Sequence, residues 1–302
     1  MDLAFLSELA SNEIKRKEAL APWCSIRAGG AAEAFVRPAS ISSLLKVLEL
    51  AHRHRAHVTV LGGGANTLVG DGGVSGITLK LNGDYFPEEI ARAQDGALVT
   101  VNAGSAIARI VTLMKTNQLT GAEFLAGIPG TIGGATAMNA GTKNGECMTA
   151  VDAVELATHE GLGWVTAKSL TCRYRQTELP AGAIVTRVRF SLTSGDMAAS
   201  AKKMETDLAY RKRTQPLSQP NFGSVFTNPP GHFAGALIEQ TGLKGRQIGR
   251  AQISTQHANW IVNLGGAKAA DVVALMTEAQ KRVLGDTGVR LTPEVKRVGL
   301  FE

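Results

Sequence analysis

Two glycine-rich segments, residues 61–73 and 121–145, have the composition of backbone that binds a ligand closely. The second reads GAEFLAGIPGTIGGATAMNAGTKNG, and its seven glycines are costly to order because glycine loses the most backbone freedom on folding. Apolar residues such as Phe124, Ile128 and Met138 make the segment too hydrophobic for a disordered linker. Ordered backbone with few side chains can wrap around something flat and large. We therefore expect the two segments to form opposite walls of one cofactor cradle.

The first of these segments follows a short apolar strand, residues 58–61, which runs into Gly62-Gly63-Gly64-Ala65-Asn66-Thr67. Successive backbone N–H groups at such a strand end can point at one spot, and that arrangement suits a phosphate. The segment is neither a G-x-G-x-x-G fingerprint nor a Walker loop, because no helix clearly opens after it and no Lys-Ser/Thr follows. Taken alone, it is equally consistent with a phosphate loop and with a plain tight turn.

The totals limit the class of protein. A chain of 302 residues has room for about two domains, and 44% apolar with 19% charged residues is ordinary for a globular protein. The net charge of +6 is spread along the chain, whereas nucleic-acid binders concentrate Lys and Arg on one element. The dense basic clusters are His52-Arg53-His54-Arg55 and Arg211-Lys212-Arg213. Anionic small ligands fit this surplus, and we expect no nucleic-acid partner.

Cysteine usage and hydropathy point to a reducing compartment. Cys24, Cys147 and Cys172 are odd in number and widely separated, which argues against a disulfide framework and against zinc spacing. The cluster at residues 52–55 matches no metal-ligand set and is explained by basic residues at the C-terminal end of a helix. No apolar run approaches membrane length, and no signal sequence is evident. We expect a cytoplasmic, soluble protein without a metal site and without a membrane partner.

Periodicity predicts alternating helices and strands. Helices are expected at 2–20, from Ser40 or Ser42, from Ser105, and at 234–240. Strands are expected at 34–36, 58–61, 76–81, 98–103 and 184–192, with a hairpin joining 154–158 to 164–166. One further helix would turn Met197, Ala201, Met204 and Leu208 inward, and a long amphipathic helix would bury Val272, Leu275, Met276, Ala279 and Val283.

Several separated strings, taken together and in order, resemble one family. They are Arg27-Ala28-Gly29-Gly30, GGGANTLV, GAEFLAGIPGTIGGATAMNAG, Tyr174-Arg175, FGSVFTNP, GLKGRQIGRAQIS, HANWIVN and LTPEV. The family is UDP-N-acetylenolpyruvoylglucosamine reductase (MurB), a flavin enzyme of peptidoglycan synthesis, and the resemblance covers nearly the whole chain. The chain lacks the tyrosine-bearing insertion of one subgroup, so it resembles the shorter subgroup.

The resemblance implies an α+β protein with two domains. Residues 1–195 would be an FAD-binding domain of the vanillyl-alcohol-oxidase (PCMH-like) type, made of two α+β subdomains that divide near residues 75–80. Residues 196–302 would be a C-terminal α+β substrate-binding domain, with the last residues returning to the FAD domain. We expect a monomer.

The resemblance also implies a reaction. NADPH would reduce non-covalently bound FAD and leave, and the enolpyruvyl sugar nucleotide would take its place. Hydride would then be added to the terminal alkene carbon, and a proton to the carbon that bears the carboxylate. The product would be UDP-N-acetylmuramate, a precursor for the cell wall and therefore for cell shape and division.

Three residues match the family's catalytic positions. Arg175 would hold the substrate carboxylate, because hydride addition beside a carboxylate builds negative charge that a fixed, planar cation stabilises. Ser224 would protonate the intermediate, which is basic enough to accept a proton from a hydroxyl. Glu294 would act as a second acid or as an orienting carboxylate. Read without the motifs, the three are an exposed turn arginine, a Gly-Ser turn and a solvated glutamate.

Other positions are implied to bind ligands. The pyrophosphate loop of FAD matches Gly62, Gly63, Gly64, Ala65, Asn66 and Thr67, and its facing wall matches Gly127, Ile128, Gly133 and Gly134. Positions that bind the sugar nucleotide match Tyr174, Asn228, Lys244 and His257. His257 is also consistent with a structural histidine, and Tyr174 and Trp260 with packing.

The sequence departs from the family pattern at three of these places. Thr227 stands where the family has lysine, which removes a positive charge beside Asn228. Thr177 replaces serine after Tyr-Arg, and Ala65 replaces serine in the glycine loop; both changes are mild. Arg211, Lys212 and Lys244 are candidates to compensate for the charge lost at Thr227.

Three rival functions remain open at the level of sequence. A basic nucleic-acid binder would be colourless and would bind DNA or RNA with a salt-dependent affinity. A flavin oxidase of the same fold would act on another substrate and would not need the Arg175, Ser224 and Glu294 set. A non-catalytic flavin or nucleotide-sugar binding protein would keep the ligands and consume no NADPH.

Overall fold

The structure, a computed structural model, describes residues 3–9 and 14–301 of the chain. The chain divides into two compact units. The first unit comprises Met1–Lys15, Phe35–Gly63 and Ile77–Tyr210. The second comprises Arg16–Ala34, Gly64–Gly76 and Arg211–Glu302.

The structure mixes helices and strands along the whole chain. The α-helices are α1 (Ile41–Arg53), α2 (Ala108–Thr116), α3 (Ile132–Met138), α4 (Met197–Thr214), α5 (Ala234–Gln240) and α6 (Ala269–Thr287). The first nine strands are β1 (Ile14–Ala19), β2 (Ala31–Val36), β3 (Val58–Val60), β4 (Thr67–Val69), β5 (Val74–Leu79), β6 (Glu89–Ala93), β7 (Gly96–Asn102), β8 (Leu119–Thr120) and β9 (Gly141–Thr142). The others are β10 (Gly145–Glu146), β11 (Val151–Thr158), β12 (Gly161–Thr166), β13 (Cys172–Arg173), β14 (Gln176–Thr177), β15 (Ile184–Ser194), β16 (Gln247–Ile248), β17 (Ala251–Ile253), β18 (Ile261–Asn263) and β19 (Lys296–Val298).

A largely antiparallel sheet forms the centre of the first unit. Its strands lie in the order β12-β11-β15-β7-β6, and β8 pairs with the far end of β15. One face packs on α2 and α3 through buried side chains that include Val99, Ile110, Val154, Val188 and Phe190. In the second half of β15, buried Val188, Phe190 and Leu192 alternate with the more exposed Arg189 and Ser191, whereas β7 and β11 are buried along most of their length.

Helix α1 follows the sequence prediction closely. Its N-cap is Ser40, whose side-chain oxygen accepts a hydrogen bond from the Ser43 N–H at 3.1 Å. The predicted inward residues Leu44, Val47 and Leu48 are buried. In the same unit β3 pairs in parallel with β5, and the chain leaves β3 directly into Gly62.

The second unit is built around helix α6. Its predicted inward residues are buried, and the helix packs on α5 and on the sheet of β16, β17 and β18. In a separate ladder, β19 pairs in parallel with β4, so that Lys296 lies opposite Thr67. This pairing places the residues that follow the glycine loop beside the residues that follow Glu294.

Three predictions about elements are corrected. The predicted helix at 2–20 is a short 3-10 turn at Ala4–Glu8 followed by strand β1, and its residues 2 and 10–13 lie outside the described residues. Lys, Arg and Glu favour helices only weakly, and tertiary context overrides that preference. The glycine-rich segment, which shows no helical period, contains helix α3.

The third correction concerns the inward face of α4. Met204 is buried as predicted, but Ala201 is exposed and Leu208 is 44% exposed. Ser200 is buried instead, because its hydroxyl donates to the Glu123 carboxylate at 2.9 Å. A polar anchor therefore lies on the face of this helix where an apolar stripe was expected.

Within the part of the chain that the structure covers, none of the helices is both long enough and hydrophobic enough to span a bilayer.

Candidate active site

The two glycine-rich segments meet within the first unit. A Cβ atom placed on Gly63 would lie 2.5 Å from Gly130 Cα, and one placed on Gly62 would lie 2.8 Å from Thr131 Oγ1. Neither contact leaves room for a side chain without moving backbone or the helix cap. Glycine at these positions therefore has a packing reason that the composition alone did not give.

The wall that faces this loop is the start of helix α3. Thr131 is the N-cap, and its hydroxyl oxygen accepts from the Gly134 N–H at 3.3 Å. Gly133 donates its N–H to the Ala103 carbonyl at 2.8 Å, and a Cβ on Gly133 would lie 2.8 Å from Ala103 Cβ. Gly127 has a φ of 74°, a conformation that favours glycine. Gly133 thus lets the helix approach the end of β7.

Arg175 lies at the other end of the same helix. It is the second residue of the tight turn between β13 and β14, and its φ is 62°. The Thr177 hydroxyl donates to the Thr136 carbonyl at 2.6 Å, and Asn139 Nδ2 donates to the Arg173 carbonyl at 3.1 Å. The hairpin that carries Arg175 is therefore fixed to α3, whose seven residues span about 10 Å.

Two contacts of the Arg175 side chain lie within the first unit. Arg175 Nη2 donates to the Gly141 carbonyl at 3.0 Å, and the guanidinium carbon lies 4.7 Å from the centre of the Tyr174 ring. A non-glycine residue in the left-handed region is uncommon, and strain of this kind clusters at functional sites. Tyr174 is 48% exposed, so it contributes a cation–π contact rather than a buried packing residue.

The second half of the glycine loop belongs to the second unit. Gly64 has a φ of 64°, and its carbonyl accepts from the Ser25 N–H at 3.0 Å. A Cβ on Gly64 would collide with the Trp23 carbonyl oxygen. The half-buried Ala65 follows, and Thr67 begins β4.

Ser224 and Glu294 are brought onto neighbouring backbone segments in this unit. Gly223, with a φ of 80°, donates its N–H to Asn221 Oδ1 at 3.0 Å and so forms the turn before Ser224. The Glu294 N–H donates to the Val225 carbonyl at 2.8 Å, one residue after Ser224. Both Ser224 and Glu294 are half-buried, as a group that meets a ligand must be.

The three predicted sugar-nucleotide residues of the second unit surround helix α5. Asn228 Oδ1 accepts from the Ala234 N–H at 3.0 Å, and Lys244 Nζ lies 2.9 Å from a carboxylate oxygen of Glu239. His257 sits against the same helix, since a Cβ on Gly235 would lie 2.8 Å from His257 Cε1. The sequence had presented these residues as separate motifs.

His257 is held as a neutral imidazole. Its Nδ1 accepts from the Asn259 N–H at 3.2 Å, which requires that nitrogen to be unprotonated. Burial lowers the pKa of His257, and the positive charge of Lys244 lowers it further, against a smaller opposing effect of Glu239.

Comparisons with known proteins agree with the motif pattern. Residues 32–164 match the family model described as FAD binding domain, and residues 215–298 match UDP-N-acetylenolpyruvoylglucosamine reductase, C-terminal domain. A UDP-N-acetylenolpyruvoylglucosamine reductase of Myxococcus xanthus (strain DK1622) is 59% identical over 298 residues, which cover 99% of this chain and 96% of that protein. One of Anaeromyxobacter sp. (strain Fw109-5) is 50% identical and covers 96% and 90%.

The crystal structure of UDP-N-acetylenolpyruvylglucosamine reductase (MurB) from Thermus caldophilus has a TM-score of 0.82 to this chain at 34% identity, covering 95% of this chain and 99% of that one. The chain belongs to the UDP-N-acetylenolpyruvoylglucosamine reductase (MurB) family. The predicted resemblance, the α+β fold class and the FAD-binding domain are therefore confirmed, and the chain is an FAD-dependent oxidoreductase.

The residues present in this MurB family member fit the diphosphate of FAD. In the first unit the backbone N–H groups of Gly62, Gly63, Gly130 and Thr131 have no hydrogen-bond acceptor within the described residues. A concentration of unpaired donors in closely packed backbone is suited to an anion. A cation lies beside them, since Lys80 Nζ donates to the Gly62 carbonyl at 2.6 Å.

Sequence reasoning missed two residues of these regions. Lys80 was not among the predicted site residues. It follows directly on β5, and β5 pairs with β3, the strand that leads into the glycine loop. Asn259 lies within the string HANWIVN and was not predicted to have a role of its own. It is 4% exposed, accepts from the Phe226 N–H at 3.0 Å and donates to the Phe226 carbonyl at 2.8 Å. A buried asparagine inside an apolar string is the signal that would have found it.

Two other features of the first unit are not part of the candidate site. A cavity of about 220 Å³ on the open face of the sheet is lined by residues that include Trp164, Arg187 and Arg189. The guanidinium carbons of Arg187 and Arg189 lie 5.2 Å and 5.0 Å from the centre of the Trp164 ring. Both guanidinium groups are already paired with carboxylates, and no motif residue lines this cavity. Cys147 is buried, and burial raises its pKa to about 12, which excludes thiolate chemistry there at neutral pH.

Proposed function

We propose that the protein catalyses the NADPH-dependent reduction of UDP-N-acetyl-enolpyruvoylglucosamine to UDP-N-acetylmuramate in peptidoglycan precursor synthesis. The proposal includes a cytoplasmic location, a monomeric state and a role in cell shape and division. The observation that carries it is the hydrogen bond from the Glu294 N–H to the carbonyl of Val225, the residue after Ser224. It brings together the segments of two motif residues that are 70 positions apart in sequence.

Bound FAD would supply the hydride carrier, taking two electrons from NADPH and passing them to the terminal carbon of the substrate alkene. The Arg175 guanidinium would then balance the charge that develops on the substrate carboxylate, and would favour the transition state over the ground state. In the proposed complex a substrate carboxylate would replace the Gly141 carbonyl as the acceptor for Arg175 Nη2.

Ser224 would donate its hydroxyl proton to the carbon that bears the carboxylate. Glu294 would assist as a second acid or by orienting the hydroxyl. This division assigns charge stabilisation to the first unit and proton delivery to the second.

The ligand positions follow the same proposal. The backbone of Gly62–Thr67 and the wall at Gly127, Ile128, Gly133 and Gly134 would hold the flavin nucleotide. Tyr174, Asn228, Lys244 and His257 would hold the sugar nucleotide. We further propose that residues 1–195 act as the FAD-binding domain, divided near 75–80, and residues 196–302 as the substrate-binding domain, with the last residues returning to the FAD domain.

Stopped-flow absorbance of the purified holoenzyme tests the proposal. NADPH should bleach the flavin, and the enolpyruvyl sugar nucleotide should then restore its colour in a single turnover. Bleaching that this substrate does not reverse would contradict the proposal and leave an oxidase of the same fold. Bound flavin that NADPH does not bleach would leave a binding protein.

A further inference from the structure

The side chain of Asn66 connects the glycine loop to the backbone of Glu294. Asn66 Nδ2 donates to the Glu294 carbonyl at 3.1 Å, and the Lys296 N–H donates to the Asn66 carbonyl at 3.0 Å. Asn66 is therefore hydrogen-bonded to both neighbours of Val295, Glu294 and Lys296. These bonds lie immediately before the start of the β4–β19 ladder. All of these groups lie in the second unit.

The other polar atom of the Glu294 backbone is also fixed. The Glu294 N–H donates to the Val225 carbonyl at 2.8 Å, and the Val225 N–H donates to the Asn259 carbonyl at 2.9 Å. The peptide unit of Glu294 is thus held on one side by the segment of Ser224 and on the other by Asn66. Removal of the Asn66 amide would release one of these two restraints.

We propose that Asn66 is a positioning residue, whose side-chain amide holds the Glu294 backbone in place beside the segment of Ser224. This inference rests on the proposed roles of Ser224 and Glu294. The role proposed for the Asn66 side chain differs from direct binding of the flavin diphosphate. The backbone N–H groups of the loop can bind the diphosphate without that side chain.

The chemistry of the contact makes the proposal specific. An asparagine amide donates to a carbonyl, whereas a carboxylate of the same shape has no donor at neutral pH and repels the carbonyl oxygen. Misplacement of a catalytic group by about 1 Å can cost about 100-fold in rate. Asn66→Asp should therefore slow proton delivery and leave hydride transfer from NADPH intact.

The experiment compares the wild-type holoenzyme with Asn66→Asp and Asn66→Ala by stopped flow. The control is Asn117→Asp, which makes the same chemical change at a side-chain amide that donates to the Leu113 carbonyl at 3.0 Å at the end of α2. We expect flavin content and the rate of flavin bleaching to stay within about twofold of wild type in all variants. Reoxidation by the enolpyruvyl substrate should fall about 10- to 100-fold in both Asn66 variants only. Its solvent deuterium isotope effect should increase.

Loss of flavin in the Asn66 variants, or equal loss in both half-reactions, would overturn the proposal and assign the side chain to cofactor binding. Unchanged reoxidation would also overturn it. Hydrogen exchange provides a readout that does not depend on turnover, because amide protons of residues 294–296 should exchange faster in Asn66→Ala than in Asn117→Asp. Unchanged exchange at residues 294–296 would contradict the hydrogen bond between Asn66 and the Glu294 carbonyl and so overturn the proposal. Failure of the substrate to reoxidise the wild-type enzyme would instead reject the proposed function alone.

Discussion

The two regions that carry the candidate catalytic residues are stabilised in different ways. Arg175 occupies a two-residue turn with left-handed backbone, and its hairpin is fixed to one short helix by Thr177 and Asn139. Ser224 and Glu294 lie on loop segments that are joined by backbone hydrogen bonds between distant parts of the chain. The residue proposed to stabilise charge is thus placed by local geometry, and the residues proposed to deliver the proton are placed by long-range pairing.

The difference predicts different consequences of mutation. A change at Arg175 alters one turn and its charge, and the rest of its unit can stay as it is. A change around Glu294 disturbs partners that are shared between several segments, including Asn66 and Val225. Variants at four positions test this contrast, beginning with the largest expected effect.

Ser224→Ala removes the proposed proton donor from the long-range region. We expect reoxidation of the flavin by the enolpyruvyl substrate to slow by about 10²- to 10⁴-fold, because this is the range that general acid catalysis contributes. Bleaching by NADPH should stay close to wild type in stopped flow. Ser218→Ala, at an exposed position on the same segment, is the control. Equal loss in both half-reactions would contradict the role given to Ser224.

Arg175→Ala and Arg175→Gly separate charge from backbone strain in the local region. Both remove the guanidinium, so both should slow reoxidation by about 10²- to 10³-fold. The glycine variant should nevertheless be more stable than the alanine variant by about 1 kcal/mol, because only glycine adopts a φ of 62° without penalty. Urea unfolding of the two proteins measures the difference. Equal stabilities would show that the turn relaxes when the arginine is absent.

Gly63→Ala tests the close contact between the glycine loop and its facing wall. The new Cβ would lie 2.5 Å from Gly130 Cα, so we expect a loss of about 1–3 kcal/mol in the free energy of unfolding and weaker retention of FAD. Gly163→Ala, where a Cβ meets nothing within 4 Å, should change stability by less than about 0.5 kcal/mol. Thermal unfolding and the ratio of flavin to protein after desalting provide the measurements. Retention of both properties by Gly63→Ala would reject close packing as the reason for glycine.

His257→Asn tests a titratable group of the second unit. Because burial and Lys244 lower the pKa of His257 in the folded protein, the unfolded chain takes up its proton first as the pH falls below about 6.5. The contribution of His257 to stability is therefore complete above that pH and is lost as the pH falls toward the lower, folded-state value. Asparagine keeps an acceptor for the Asn259 N–H without a proton to gain.

The urea midpoint of His257→Asn should accordingly fall less steeply than that of wild type between pH 7 and pH 5. His232→Asn, at an exposed histidine of the same unit, is the matched control. A slope that His257→Asn leaves unchanged would show that this histidine is protonated equally in the folded and unfolded chains.

Sequence periodicity predicted the elements whose apolar pattern is regular. Helices α1 and α6 bury the residues that the 3.6-residue repeat indicates, because one face of each packs on a sheet or another helix. Helix α3 was missed because a helix that contains Gly133 and Gly134 has little apolar pattern, and tertiary hydrogen bonds to Ala103 and Ser105 fix its start. The inward face of α4 was predicted only in part, because Met204 is buried but a serine that bonds to the Glu123 carboxylate, Ser200, is buried in place of Ala201.

The motifs identified which segments matter, but not how they are joined. The pairing of Glu294 with Val225 depends on backbone contacts between distant segments, and no local pattern reports such contacts. The left-handed turn at Arg175 was equally hidden, since the sequence places no glycine there. Lys80 was missed for the same reason, because only folding brings it to its partner, the Gly62 carbonyl.

The parallel ladder of β4 and β19 has a consequence for biosynthesis. Lys296 is translated more than 200 residues after its partner Thr67. A nascent chain therefore holds β4 without its partner while the residues between them are made. The glycine-rich loop that precedes β4 can reach its final form only after β19 has been synthesised, so a cofactor held by this loop would be loaded late.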